Sequence, residues 1–401
     1  VAVVPLDAAD AICKGEGEAT ICELMERGVE NAAEVPGLYV PTEEGWRNTG
    51  HRCPIQDLDT IPWPKFSEID YDLYGKRFLP IMGSRGCIGN CFFCGDRYTA
   101  PGYRIRSALN QVDELEYLST NFDVEHFPYN DPLLDGNIPI LEEKTDELIR
   151  RKLDVSYGGN MMVRRHMPES LFPKLRQSGM TIALVGVESG SADVLRRMRK
   201  QHTPEQASWF LRNLHNAGIR TEVNFLFGFP TETEAHFQET LQFLRDNRQY
   251  MTCVISIASL ILLPSDLADQ RDEFNVVMNE ETGTKGWYVA DGSNTLEIRE
   301  DRVNRFMAAA REYGLIEDYL MGDHHVQESK GLPTARAYWK KYVAHWQDNP
   351  TCTQDERSTA LRIGKDLEDA LALFGPKDVP LSPVLLAQKA LSSLRRYGIR
   401  G

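Results

Sequence analysis

The chain has 401 residues, of which 42% are hydrophobic and 26% charged, and its 45 basic and 59 acidic residues give a net charge of −14. This composition is typical of a soluble globular protein with two or three domains, and the acidic balance argues against a large nucleic-acid-binding surface. No run of 18 apolar residues predicts a membrane span, no secretory signal is visible, and the scattered cysteines suit a reducing compartment, most simply the cytoplasm.

The first 77 residues predict two segments. In residues 1–35, an apolar strand is followed by Gly15-Glu-Gly-Glu18, which breaks the pattern, and then by a short helix from Thr20 to Arg27. Residues 36–77 are rich in proline, which predicts an extended linker. Because the chain starts with Val inside an apolar pattern, we expect the natural protein to continue upstream.

Between residues 78 and 264, short apolar strands alternate with amphipathic helices. Such a series predicts a parallel sheet, and right-handed crossovers would curl it into a partial, TIM-like (β/α)6 barrel with its site at the carboxyl ends of the strands. Residues 265–401 predict a mostly helical C-terminal domain that includes a charged helix over Glu297–Tyr313. The six predicted strands are Leu79–Gly83, Val124–Tyr129, Val155–Gly158, Ile182–Val187, Thr221–Phe227 and Val254–Leu263.

Three cysteines lie in the loop that follows the first predicted strand. Cys87, Cys91 and Cys94 have the spacing Cys-x-x-x-Cys-x-x-Cys, with a glycine before and after. Three thiolates held this closely suit an iron–sulfur cluster, and one iron of a four-iron cluster would then stay open. A structural zinc site would need a fourth ligand, which the loop lacks, and a disulfide would need an oxidising compartment. We therefore favour the open cluster over these two alternatives.

The cysteine motif, with Phe92-Phe93 before its last cysteine, resembles that of the radical S-adenosylmethionine (SAM) enzymes. In that family the open iron of a [4Fe–4S] cluster chelates SAM, and an electron from the cluster cleaves SAM to a 5′-deoxyadenosyl radical. The resemblance implies the cluster and SAM as cofactors. It also implies an electron donor such as flavodoxin or ferredoxin, and a small-molecule substrate such as a biosynthetic intermediate.

Polar residues after the second and fourth predicted strands are candidates for SAM binding. Asp131, in Tyr129-Asn-Asp-Pro132, would accept a hydrogen bond from the SAM ammonium, or would instead form a turn. Asn130 precedes it and takes the place of the first acid that the resemblance leads one to expect. Glu188 would bind the ribose hydroxyls or the amino-acid end of SAM, or would instead cap a helix.

The third and fifth strands supply further candidates. Asn224 is polar in an otherwise apolar strand, which suggests a ligand contact or a satisfied polar group in the core. Gly228 begins a Gly-Phe-Pro turn that resembles the adenine-facing stretch of the family, where glycine permits close approach. Asn160 is a weaker candidate just past the third strand.

We expect two groups of basic residues to lie at the surface. Arg164 and Arg165 would bind the carboxylate of SAM, but we favour a surface location for both. The run from Arg196 to Lys200 predicts a solvated helix face.

The residues before the barrel extend the resemblance. Gly15-Glu-Gly-Glu18, the helix after it and Leu58-Asp-Thr-Ile-Pro-Trp-Pro64 occur in the order seen at the end of a cobalamin-binding domain and its linker to a radical SAM barrel. Residues 1–35 would be a remnant of that domain, too small for a complete corrinoid pocket. Cobalamin is therefore implied for the full-length protein, although the Asp-x-His-x-x-Gly cobalt-ligand motif is absent.

The resemblance implies a radical SAM enzyme that performs cobalamin-dependent methylation of an unactivated carbon or phosphorus. The alternatives are a radical SAM cyclase, a rearrangement enzyme or a methylthiotransferase that uses no corrinoid. The last is disfavoured, since the chain shows neither a further N-terminal cysteine triad nor a basic C-terminal RNA-binding domain. From another class, a non-catalytic zinc or iron–sulfur structural protein also remains open.

Overall fold

The computed structural model describes residues 9–67, 78–96, 100, 102–279 and 283–316. All of these belong to one unit of the chain, which ends at Ile316. The second unit, residues 317–401, lies outside the described residues, as do the helices predicted there and the strand predicted at Val1–Val4.

The N-terminal part forms a small antiparallel sheet beside one helix. Strand β1 (Ile12–Cys13) pairs with β2 (Leu38–Thr42), β2 pairs with β3 (Gly45–Asn48), and helix α1 (Glu18–Arg27) follows β1 in the chain. The structure differs here from the extended linker expected over the first part of residues 36–77. Pro41 is tolerated because β1 pairs only with Leu38 and Tyr39, so that β2 has an unpaired edge at the proline.

Strands and helices then alternate along the chain, as the sequence predicts. The elements are β4 (Ser84–Arg85), β5 (Arg104–Ile105), α2 (Ala108–Asn121), β6 (His126–Pro128), α3 (Ile138–Arg151), β7 (Ser156–Met161), α4 (Leu171–Gln177), β8 (Met180–Glu188), α5 (Ala192–Arg197), α6 (Pro204–Asn216), β9 (Arg220–Phe227), α7 (Glu234–Asn247) and β10 (Cys253–Ser259). Strands β4 and β5 pair antiparallel and bracket the cysteine loop.

A parallel sheet of β6 to β10, in chain order, forms the centre of the fold. Helices join successive strands, as parallel pairing requires. The segment predicted as the first strand contributes two parallel bridges beside β6, from Phe78 to His126 and from Ile81 to Tyr129. The predicted partial barrel is thus confirmed, with five paired strands and a sixth position held by isolated bridges.

The two faces of this sheet differ because successive side chains of a strand point to opposite sides. One face packs against the helices and buries apolar side chains such as Val185 on β8 and Phe225 on β9. The other face lines a cavity of about 420 Å³, with Asn130, Asn160 and Glu222 among its walls. Two of the polar candidates of the sequence, Asn130 and Asn160, therefore line this cavity.

The residues after β10 combine a hairpin with helices. Helix α8 (Asp266–Asp269) precedes β11 (Val276–Asn279) and β12 (Gly283–Val289), which pair antiparallel, and helix α9 (Leu296–Glu312) follows. The charged helix is where the sequence predicts it, whereas the hairpin was not expected in a mostly helical region. Within the described residues, no helix has the length and apolar character needed to cross a membrane.

A buried carboxyl group in the loop between β6 and α3 makes the stability of the fold depend on pH. Asp135 is fully buried and accepts the backbone N–H of Met162 at 3.1 Å, while within the described residues its other oxygen has no hydrogen-bond partner. Burial raises the pKa of Asp135 from 3.8 to about 7. Between pH 3.8 and about pH 7 the carboxyl group therefore keeps its proton in the folded state but has lost it in the unfolded state. The free energy of unfolding consequently falls as the pH rises through this range.

We expect Asp135→Asn to gain stability relative to the natural chain between pH 4 and pH 8, by about 1 kcal/mol or more. Asparagine keeps the acceptor for Met162 but carries no charge at either pH. Urea denaturation at both pH values checks this, with exposed Asp154→Asn as the matched control. An advantage of the same size at pH 4 and pH 8 would show that Asp135 does not titrate in this window.

Candidate functional site

Two sulfur atoms of the cysteine loop, those of Cys87 and Cys91, lie beside Gly89. The N–H of Gly89 donates to Cys87 Sγ at 3.3 Å, and a Cβ atom at this glycine would lie 3.4 Å from Cys87 Sγ and 3.6 Å from Cys91 Sγ. Any larger residue would fill this cradle. Cys87, Cys91 and Cys94 are half-buried free thiols, and the space between the first two is kept open by a missing side chain.

The donor set of this loop fits an iron–sulfur cluster. Burial raises the pKa of all three thiols, that of Cys94 to about 12, so they are protonated without a metal and would be deprotonated by one. Thiolate ligands select soft metal centres, and a cluster spreads its ligands over several iron atoms. Within the described residues, no three His, Cys, Asp or Glu side chains come close enough to hold a single metal ion.

Phe92 anchors the loop between two later segments of the chain. Its N–H donates to the carbonyl of Met198 at 2.9 Å, and its carbonyl accepts the N–H of Leu267 at 2.8 Å. The guanidinium of Arg199 stacks 4.2 Å from the centre of the Phe92 ring. The first aromatic residue of the pair before Cys94 is thus a buried packing residue that fixes the loop.

The Gly-Glu-Gly-Glu segment is bound to the strands that bracket the cysteines. Glu16 pairs with Arg104 at 2.6 Å and accepts the N–H of Ile55 at 2.8 Å, while Glu18 pairs with Arg85. Burial alone would raise the pKa of Glu16, but the bonds from Arg104 and Ile55 lower it. These two glutamates therefore connect the N-terminal sheet to β4 and β5.

Asp131 fastens the start of the cysteine loop. Its two oxygens accept the N–H of Gly83 at 2.8 Å and the hydroxyl of Ser84 at 2.7 Å, and its side chain is buried. Burial raises the pKa of Asp131, which the positive charge of Lys144 partly offsets. Lys144 is itself buried, with its ammonium 4.1 Å from the centre of the Tyr129 ring. The contacts support a positioning role, and binding of the SAM ammonium by Asp131 stays a prediction.

We expect Asp131→Ala to destabilise the chain by about 2–3 kcal/mol, since two buried donors lose a charged acceptor. Cluster incorporation should fall with it, because the cysteine loop starts at these donors. Urea denaturation and iron content after reconstitution check both effects, and exposed Asp154→Ala is the control. Normal stability and iron content would show that Asp131 does not hold the loop.

Glu188 and Lys200 form an ion pair beside the cysteines. Lys200 Nζ lies 3.2 Å from Glu188 Oε1, and the lysine side chain is 7% exposed. Burial alone would lower the pKa of Lys200, but the negative charge of Glu188 raises it, and a Cys91 thiolate would add to this effect. Glu188 has a left-handed backbone, with φ of +67°, at the end of β8. Its carboxylate binds Lys200, and among the described residues it makes no capping bond to the helix that follows.

The structure corrects the prediction that Arg196 to Lys200 form a solvated helix face. Arg196 and Arg197 are exposed and pair with Asp193. Helix α5 ends at Arg197, and Arg199 has a φ of +56°, which turns the chain inward. Lys200 consequently enters the site, where its charge lies close enough to influence the pKa of Cys91.

Polar residues of the strand interior lie farther along the concave face. Asn160 donates from Nδ2 to the carbonyl of Asp131 at 3.0 Å, and Asn130 and Asn160 line the 420 Å³ cavity. Asn224 Oδ1 is buried and has no hydrogen-bond partner within the described residues. An unsatisfied buried oxygen argues against a satisfied core group and favours a ligand contact for Asn224.

The turn that begins at Gly228 is held by the C-terminal segment. Gly228 donates its N–H to Glu232 Oε2 at 2.6 Å, and Asn294 Nδ2 donates to the carbonyl of Phe229 at 2.9 Å. The buried guanidinium of Arg299 lies 3.8 Å from the centre of the Trp287 ring and donates to the Trp287 carbonyl at 2.9 Å. Sequence patterns do not indicate the contacts of Asn294 and Arg299, since both residues bind segments that are distant from them in the chain.

The central part of the chain matches a known protein family. The profile of the Radical SAM superfamily matches residues 81–244, which include the cysteine loop and the strands up to β9. Residues 81–244 therefore form a radical SAM domain. The resemblance inferred from Cys87, Cys91 and Cys94 is thereby confirmed, and the superfamily is one of enzymes.

Two curated proteins are similar to this radical SAM chain. An uncharacterized methyltransferase of Pyrococcus horikoshii is 27% identical over 243 residues, which are 59% of this chain and 52% of that protein. The anaerobic magnesium-protoporphyrin IX monomethyl ester cyclase of Rubrivivax gelatinosus is 31% identical over 254 residues, 59% of this chain and 45% of the cyclase. The chain spans about half the length of these relatives.

Among solved structures, the radical SAM methyltransferase TsrM of Kitasatospora setae, with cobalamin and a [4Fe–4S] cluster bound, has the same fold. The TM-score is 0.59 at 16% sequence identity, and the match covers 89% of this chain and 77% of TsrM. Similarity at this identity shows a shared fold and no more.

Proposed function

We propose that this chain is the radical SAM core of an enzyme that cleaves SAM reductively at an open [4Fe–4S] cluster. The observation that carries the proposal is the cysteine loop itself: Cys87 and Cys91 lie beside Gly89, and Cys91 is close enough to Cys94 and to Glu188, at the carboxyl end of β8, for their charges to interact. A cluster bound there supplies the electron that breaks the sulfur–carbon bond of SAM. Parallel α/β barrels place their active sites at this end.

The chain's own residues supply the binding groups around that cluster. Lys200 is charged and buried, so it can neutralise a thiolate or bind the carboxylate of SAM. Glu188, already oriented by Lys200, can accept hydrogen bonds from the amino group or ribose of SAM. Asn224 offers an unsatisfied oxygen, and the backbone at Gly228 permits close approach of the adenine. Apolar packing by Phe92 helps to exclude water from the loop.

We further propose that the full-length protein uses cobalamin and transfers a methyl group to an unactivated carbon or phosphorus. The methyltransferase name of one relative, the cobalamin in TsrM and the Gly-Glu-Gly-Glu segment support this. Glu16 and Glu18 would then connect the cobalamin-binding part to the cysteine loop. The partners would be a small-molecule substrate and an electron donor such as flavodoxin or ferredoxin.

A second candidate function is ring formation without methyl transfer. The Rubrivivax gelatinosus cyclase, at 31% identity, favours it. The full-length protein, reconstituted anaerobically with hydroxocobalamin and supplied with SAM labelled in its methyl group, separates the two functions. Label that appears in a product together with protein-bound corrinoid supports methylation. A product without label, from protein that binds no corrinoid, would replace methylation by cyclisation or rearrangement.

A further inference from the structure

A cavity of about 750 Å³ beside the Glu188–Lys200 pair is lined by cations. It opens between the loop after β7 and the turn after α5. Its basic lining residues are Arg164, Arg165, His166, Arg196, Lys200 and His202, and none of the described residues that line it is an aspartate or glutamate. Lys200 is paired with Glu188 and Arg196 with Asp193, so the excess positive charge of the cavity comes from Arg164 and Arg165, in a chain whose net charge is −14. Such a field attracts an anion.

His202 provides a polar group in this cavity that the fold leaves unused. It is 5% exposed, and within the described residues neither ring nitrogen has a hydrogen-bond partner of normal geometry, although the backbone of Val187 lies near. Burial, reinforced by the charge of Lys200, lowers the pKa of His202 to about 3, so the ring is neutral. A neutral imidazole has one N–H donor and one acceptor nitrogen, so with the N–H directed at the backbone of Val187 one buried nitrogen is still left for a ligand atom.

The N-terminus of α6 adds to the positive potential. This helix has 13 residues, and Thr203 and Gln206, which cap it, also line the cavity. The cap satisfies backbone donors, while the helix dipole still favours negative charge in front of it. The cavity thus combines exposed guanidinium groups, those of Arg165 and Arg196, with a buried imidazole, that of His202.

We propose that this cavity binds an anionic group of the substrate, a carboxylate or a phosphate ester, apart from the carboxylate of SAM. The inference rests on the proposed function and names its substrate class, an anionic small molecule. Lys200 lies at the end of the cavity next to the cysteines, where Glu188 already holds it. Arg164, Arg165 and His166 lie on the other loop, and guanidinium groups bind carboxylate and phosphate through two parallel hydrogen bonds.

Inorganic phosphate is the probe for this site. The cluster-reconstituted chain is titrated with phosphate by calorimetry, with and without saturating S-adenosylhomocysteine. We expect phosphate to bind in both cases with dissociation constants within about twofold of each other. Arg165→Gln should weaken phosphate binding about tenfold, the loss of one bidentate charged contact. Arg212→Gln, which removes an exposed charge from α6 outside the cavity, should leave it unchanged.

Three results would overturn the inference. If S-adenosylhomocysteine displaces phosphate, the cavity holds the carboxylate of SAM and no separate anion. If hydroxocobalamin displaces phosphate in the full-length protein, the anion belongs to the corrinoid. Equal phosphate binding by Arg165→Gln and Arg212→Gln, or no binding at all, would remove the site. Formation of 5′-deoxyadenosine by the same samples tests the proposed function separately, since this reaction does not need the substrate anion.

Discussion

Replacement of Cys91 by alanine should abolish the cluster and reduce reductive cleavage of SAM to background. Cys91 lies beside Gly89 with Cys87, and the described loop has no cysteine beyond these two and Cys94 to take its place. Loss of an outer-shell partner already costs a metal site roughly 10–100-fold in affinity, and loss of a direct ligand should cost more. Iron content, the absorbance of the cluster and the yield of 5′-deoxyadenosine measure the effect.

The matched control is Cys22→Ala, which removes an exposed cysteine from helix α1. This variant should keep the iron content and the cleavage activity of the natural chain. A Cys91→Ala protein with full four-iron content would contradict the assignment of the cysteine loop as the cluster site.

Gly228→Ala should be a strongly destabilising single-methyl addition. Its Cβ would lie 2.0 Å from Arg299 Cδ, and the residue has a φ of +89°, which side chains rarely adopt. Arg299 cannot move away cheaply, because its guanidinium stacks on Trp287 and binds backbone carbonyls. Overpacking and backbone strain together should cost about 2–5 kcal/mol. We also expect SAM affinity to fall, since the turn from Gly228 is the proposed adenine contact.

Gly292→Ala separates the two contributions. Gly292 also has a positive φ, +76°, but a Cβ there meets no atom within 4 Å, so this variant reports strain alone. Urea denaturation measures stability, and equilibrium dialysis measures SAM binding. Equal destabilisation by the two variants would show that Arg299 does not confine the turn.

The sequence predicts the parts of this site that depend on local pattern. Regular spacing marks Cys87, Cys91 and Cys94, and the alternation of apolar strands with helices places them before a parallel sheet. Glu188 and Asn224 stand out because each is polar at or within an apolar strand. These features need only the neighbouring residues, so a single sequence reveals them.

Features that depend on distant segments were not predictable in the same way. Lys200 lies in a basic run typical of a solvated helix, and only the left-handed turn at Arg199 directs it to the cysteines. Asp131 lies 47 residues from Ser84, and its two hydrogen bonds exist only after the first segment aligns with β6. The hairpin β11–β12 has short strands with little alternation of apolar and polar residues. The contact of Arg299 with this hairpin, which confines Gly228, was therefore not predictable from the sequence.

This chain should hold an iron–sulfur cluster that cleaves SAM. Anaerobic reconstitution with iron and sulfide, followed by reduction with dithionite in the presence of SAM, tests it directly. We expect about four iron atoms per chain and 5′-deoxyadenosine that forms only when both SAM and reductant are present. Zinc in place of iron after anaerobic purification, or a four-iron protein that releases no 5′-deoxyadenosine, would contradict the claim.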